Sequence, residues 1–142
     1  METQVEIAIA KIKEIEFSIQ PSASFNPKEG LGVALAIANV HDLRKEELDF
    51  QITMDFKNKA SNQVVVHIKV SNIFFISAMK KFLTKEGNLD LPEDVMITML
   101  SLSISHTRAL LAKGTSGTIY EAQYFPIINP KEVARQVFNT NS

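Results

Sequence analysis

Leu48-Asp49-Phe50-Gln51-Ile52-Thr53-Met54-Asp55-Phe56-Lys57 alternates without a slip between large apolar and polar side chains. Successive side chains of a strand point to opposite faces, so this stretch predicts a β-strand with one face in a core and the other in water. That is the pattern of an antiparallel sheet covered on one side. Beyond it, the polar run from Lys57 to Gln63 predicts a turn, after which Val64, Val66, Ile68, Val70, Phe74 and Ile76 hold the even positions of a further strand. Its odd positions pass from His67, Lys69 and Ser71 to Ile73 and Phe75, so its end is apolar on both faces. On the other side, residues 39–45 form a connection, with Arg44-Lys45-Glu46-Glu47 as a solvated charge cluster. Before it, Leu31, Val33, Leu35 and Ile37 alternate with Gly32, Ala34, Ala36 and Ala38, a strand whose small face must lie under something that comes close. Over residues 5–19, Val5, Ile7, Ile9, Ile15, Phe17 and Ile19 share odd positions, while Lys11 and Lys13 interrupt that face and Ile12 falls on the other. A bend or bulge in a long first strand is expected there. Short connections between the second, third and fourth strands predict an antiparallel meander.

The period then changes. Residues 78–91 read as a crossover, and Asp90-Leu91-Pro92-Glu93-Asp94 as a helix start, with Pro near the first turn and acids facing the positive end of the helix dipole. The helix is expected over about residues 93–113, with Gly114 as its stop. Val95, Met96, Met99, Leu100, Leu102, Ile104, Leu110 and Leu111 occupy most of its circumference, so it must be covered on more than one side. Residues 115–125 read as loop, and Asn129-Pro130-Lys131-Glu132 as the capped start of a short helix carrying Val133, Val137 and Phe138 on one face. Residues 139–142 are expected to fray. The fold class is therefore α+β: a four-stranded antiparallel sheet followed by a long helix and a short C-terminal one, in a single domain over residues 1–142.

The 142 residues carry 15 Lys and Arg against 16 Asp and Glu, a net charge of −1 that lacks the basic excess of a nucleic-acid binder. With 45% hydrophobic and 22% charged residues the chain can build a core. Zero cysteines exclude disulfides, thiol catalysis and Cys-based metal sites. The N-terminus reads as no signal peptide, and the most apolar stretch, broken by Thr98, Ser101 and Ser103, as no membrane span, which makes the expected location cytoplasmic.

No catalytic constellation is visible. His41, His67 and His106 lack partners at metal-ligand spacing, and each reads as a locally hydrogen-bonded residue. Lys113-Gly114-Thr115-Ser116-Gly117-Thr118 lacks the order of a phosphate loop and follows a helix, whose C-terminal dipole repels anions. Glu14 and Glu16 read as the solvated face of the first strand. The expectation is no enzyme, no metal and no cofactor.

What the sequence offers in excess is apolar surface: the helix, the end of the fourth strand, and Met79, Phe82 and Leu83 in the crossover. Such surface marks oligomerisation, with Met99 and Leu102 expected at the interface, or the binding of other polypeptides. The order of elements carries a resemblance. A long first strand, three more ending in Ser71-Asn72-Ile73-Phe74-Phe75-Ile76, a Pro-led helix with Arg108 over residues 91–112, the exit Ala112-Lys113-Gly114-Thr115, and Phe125-Pro126-Ile127-Ile128-Asn129-Pro130 before the last helix together resemble the SecB family of protein-export chaperones, in its divergent SecB-like branch. The resembling stretch spans about residues 5–138.

The resemblance implies a homotetramer built as a dimer of dimers, with sheets outside, long helices sandwiched between dimers, and grooves that hold unfolded clients. By position the groove would be lined by Phe74, Ile76, Met79, Phe82, Leu83, Phe125, Val133, Val137 and Phe138. The family's acidic docking surface for the export ATPase lies on the first and fourth strands. Glu14 and Glu16 keep acid on the first, but His67 and Lys69 stand where acid is expected on the fourth, which counts against that docking. The functional expectation is a holdase chaperone of unfolded polypeptides. The alternatives are a chaperone within a toxin–antitoxin system and an oligomeric adaptor for a folded partner.

Overall fold

The computed structural model describes residues 5–20 and 28–138, the side chain of Phe138 excepted. The loop expected after the first strand lies largely outside them, as do residues 139–142. Four strands, β1 (Ile7–Ile19), β2 (Gly32–Asp42), β3 (Glu47–Lys57) and β4 (Val64–Ile76), form one antiparallel sheet in the order β1-β4-β3-β2. A 3-10 turn (Met79–Phe82), a long helix α1 (Glu93–Thr115) and a short helix α2 (Pro130–Phe138) follow.

The alternation in β3 decides the core as expected. Leu48, Phe50, Ile52, Met54 and Phe56 are at most 1% exposed, and their β4 partners Phe74, Val70, Ile68 and Val66 are equally buried on the same face. β2 runs on to Asp42, past the expected end at Ala38, because pairing continues to Asp42 opposite Glu47. The turn is held by the Asp42 carboxylate, whose Oδ1 accepts from the Arg44 N–H (3.0 Å) and the Lys45 N–H (3.3 Å). The small face of β2 is uncovered in this chain: Ala36 and Ala38 are exposed.

β1 pairs with β4 through two register shifts, which pass over Ala10 and Ile15. Each shift reverses which face the following residues meet. Ile7 and Ile9 stand opposite Ile76 and Phe74, Ile12 opposite Asn72, and Phe17 and Ile19 opposite Ile68 and Val66, all on the helix side of the sheet. Odd, even and odd positions thus take turns on one face.

α1 lies across that face with Met96, Met99, Leu100, Ser103, Ile104, Thr107, Leu111 and Thr115 buried. The three buried hydroxyls donate back along the helix, Ser103 to Met99 O, Thr107 to Ser103 O and Thr115 to Leu111 O, so small polar residues let the helix sit close to the sheet with no donor orphaned. Gly114 does not stop the helix. It sits where Phe17 presses in: a Cβ there would lie 2.6 Å from the ring. By length and composition α1 could cross a bilayer, contrary to the expectation that no stretch could, yet its apolar stripe is spent on the sheet. Asn72, fully buried, donates to Phe50 O and Val70 O and accepts from His106 Nδ1 at 3.0 Å. That fixes the His106 proton on Nδ1, and burial pulls the ring's pKa below its ordinary value. Tyr120, also fully buried, donates from its hydroxyl to Gln20 O at 2.7 Å and so ties the segment after α1 to the exit of β1. Asn129 caps α2 as expected, accepting from the Lys131 N–H.

Candidate functional site

The residues expected to line a groove divide into two sets. Phe74, Ile76 and Met79 are at most 1% exposed and Phe125 5%, so in this chain they belong to the core. The cause is the sheet face they share: Phe74 meets Phe50 edge-on at 6.1 Å, and Phe125 lies tilted over Phe56 at 6.2 Å. Phe82, Leu83, Val133 and Val137 are half-buried and reachable. The Phe138 side chain lies outside the described residues.

None of the four reachable residues lines a cleft directly: their two elements face each other across one of about 370 Å³, which is lined instead by Leu89, Asp90, Leu91, Glu93, Met96, Ala134 and Arg135. One wall is the crossover, residues 79–91. It folds back on itself through the Asp90 N–H to Phe82 O bond (2.7 Å) and a single bridge between Leu83 and Leu89. The floor is the first turn of α1, and the other wall is α2. Leu91, Met96 and Ala134 are buried at the bottom, while Asp90, Glu93 and Arg135 are exposed at the rim. An aliphatic floor with a charged rim accepts an apolar side chain from an extended segment and leaves its backbone in water. The sequence could not announce this cleft, because Leu89 and Leu91 sit between strand and helix signals and join no periodic face.

Among the described residues no group of three or more His, Asp or Glu side chains is arranged to hold a metal ion.

No family model and no curated protein matches the chain in sequence. Among solved structures it is similar to the Mycobacterium tuberculosis SecB-like chaperone Rv1957, bound there to a ChAD peptide from the HigA1 antitoxin Rv1956. The two share 16% identity with a TM-score of 0.57, over 87% of this chain and 91% of that one. The fold is SecB-like.

On a SecB-like fold, the sheet face turned away from α1 is the other surface to weigh, and here it departs from the sequence reading. Glu14 and Glu16 do not share a face. The shift at Ile15 puts Glu14 opposite Val70, on the helix side, and Glu16 opposite Lys69, on the outer side. Glu16 is also engaged. Its Oε1 lies 3.0 Å from His67 Nε2, and Asp55 Oδ1 lies 2.6 Å from His67 Nδ1. With a carboxylate at each ring nitrogen, both N–H groups of an imidazolium can donate, whereas a neutral ring satisfies only one. The hydrogen bond to Glu16, joined by Asp55, holds the imidazole above its ordinary pKa against the opposing effect of burial. The same bond, against a small desolvation, holds the Glu16 carboxyl below its own. β1, β4 and β3 are thus pinned together on the outer face by one ring. Next along, Asp49 accepts from Ser71 Oγ at 2.6 Å and from Gln51 Nε2 at 3.2 Å.

Met99, expected at an oligomer interface, is fully buried against the chain's own sheet. Leu102 points the other way, 37% exposed, and is followed on the outward stripe by exposed Ser105, Ala109 and Ala112.

Proposed function

We propose that the chain is a molecular chaperone that holds non-native polypeptide segments, taking their apolar side chains into the cleft between the crossover and α2. The observation that carries this reading is the chemistry of that cleft on a SecB-like fold: Leu89, Leu91, Met96 and Ala134 give it apolar surface, and Asp90, Glu93 and Arg135 give it a comparable polar share. Apolar burial is indifferent to sequence, and each side chain removed from water contributes about 1.5–3 kcal/mol. Several such anchors reach the roughly 8 kcal/mol of a micromolar complex. The reading includes a dimer or tetramer joined through the outward stripe of α1, and a cytoplasmic place of action. It does not include docking of an export ATPase, because Glu14 and Glu16 face opposite sides of the sheet and Glu16 is held by His67.

A dedicated client is the second reading, favoured by the antitoxin peptide bound to the similar chaperone. A refolding assay tests both. The chain at stoichiometric ratio should retard refolding of a destabilised client, and should do so still in about 0.5 M salt, since screening weakens exposed charge pairs and not apolar contacts. Leu89→Asp and Ala134→Asp, at the two walls of the cleft, should each weaken capture. No retardation, or capture untouched by both substitutions, would sink the proposal. Capture of one partner's segment together with failure on a panel of unrelated unfolded proteins would select the dedicated reading.

A further inference from the structure

The crossover that walls the cleft is fastened to the rest of the fold by few polar contacts. Among the described residues, the hydrogen bonds of residues 79–91 are internal to the segment or to its own hinge, except one: the Met79 N–H donates to Glu46 Oε2 at 3.1 Å. Otherwise the segment is held by apolar packing, chiefly of fully buried Met79 and nearly buried Leu91.

The acceptor residue of that bond, Glu46, and the residue just before its donor, Ala78, both hold strained backbones. Glu46 (φ 54°) and Ala78 (φ 55°) have left-handed backbones, where a residue with a Cβ is disfavoured and glycine is not. Asn62 (φ 60°), in the β3–β4 turn, is a type that tolerates this region, but glutamate and alanine are not. Glu46 closes the β2–β3 hairpin and its carbonyl accepts from the Ile76 N–H at 2.8 Å. Its backbone therefore holds the last residue of β4 and its side chain holds the first residue of the 3-10 turn. Ala78 lies between these two attachment points. A strained single-residue hinge beside a single charge-assisted bond describes a strap that can be released as a unit.

We propose that residues 79–91 are a gate over a larger apolar site, that the Glu46 carboxylate is its latch and that Ala78 is its hinge. Released, the strap withdraws Met79 from its buried seat and extends the cleft toward the apolar end of β4. The site then adapts to client segments bulkier than the closed cleft admits. This deepens the chaperone reading and rests on it.

Two readouts on the full chain decide it: amide hydrogen exchange over residues 79–91, and affinity for a permanently unfolded probe, reduced and carboxymethylated lactalbumin. Glu46→Ala removes the latch and keeps a Cβ at the strained position. Glu46→Gly removes the latch and relieves the strain, so it guards against a variant that simply fails to fold. Glu46→Gln retains an acceptor and should restore part of the effect. In both latch-free variants, exchange should rise about ten- to a hundredfold across residues 79–91, the scale of a lost charge-assisted hydrogen bond. Exchange in β3 should stay unchanged, and the probe should bind several-fold tighter. Equal acceleration in β3, no acceleration in the strap, or probe affinity that is unchanged or lower would each overturn the gate. If the wild-type chain and all variants bind no probe, the chaperone reading itself falls, whatever the exchange shows.

Discussion

His67 is the residue whose chemistry most exceeds its local sequence. Held between Glu16 and Asp55, it joins three strands on the face away from α1. Its folded pKa is raised, so its contribution to stability is fully present below the unfolded value of 6.5 and is lost as pH rises through the folded one. The Glu16 shift has the opposite sign. Its folded pKa is lowered, so its contribution is present above the unfolded value of 4.5 and is lost as pH falls through the folded one. The bridge therefore works best between those two unfolded values. Thermal unfolding followed from pH 5.5 to about pH 8.5 should show the wild-type chain losing its advantage over His67→Gln as the pH rises. An advantage that does not change over this range would show that the ring is not charged in the folded chain. None of this is legible in the neighbourhood of His67 itself, because Glu16 and Asp55 are 51 and 12 residues away and meet it only through register.

At the scale of elements, strands were the most readable part of the chain. The unbroken alternation in β3 has one structural solution, and the interruption at Lys11, Ile12 and Lys13 announced the irregular pairing of β1. The end of β2 was not readable, because the Asx turn at Asp42 lets pairing run on through polar residues. The faces of α1 were harder still. Apolar residues surround it, and only contact with the sheet decides that Met99 turns inward and Leu102 outward. The two should therefore fail differently. Met99→Ala should cost about 2–5 kcal/mol in chemical denaturation and leave the native molar mass unchanged. Leu102→Asp should leave a folded chain and lower the mass measured by light scattering, since an unpaired charge in an interface costs several kcal/mol. The reverse pattern would exchange the two assignments.

For the molecule as a whole, the outer edges of β1 and β2 have no neighbouring strand among the described residues, and β1 shows exposed Ile9, Ile12 and Ile15 along its length. Strand edges of this kind call for cover by a partner or protection by irregular pairing, and β1 has the second in its two shifts. The order of elements was legible from end to end, but the cleft was not, since its walls come from segments that carry no periodicity. Those two shifts also govern how the chain can change in length. At each, one residue has no partner on β4, so the strand contains slack. Removing Ala10 or Ile15 keeps every other residue of β1 opposite its present neighbour. Removing Lys13 should disturb only the residues back to Ala10, where the slack is taken up. β3 pairs with β2 without any such slack, so removing Thr53 turns half the strand over and carries Asp49 and Gln51 toward the core. Chains lacking Ala10 should unfold cooperatively on heating, and chains lacking Thr53 should not. In evolutionary terms, β1 is where relatives of this protein can gain or lose a residue and still fold, while β3 must keep its length.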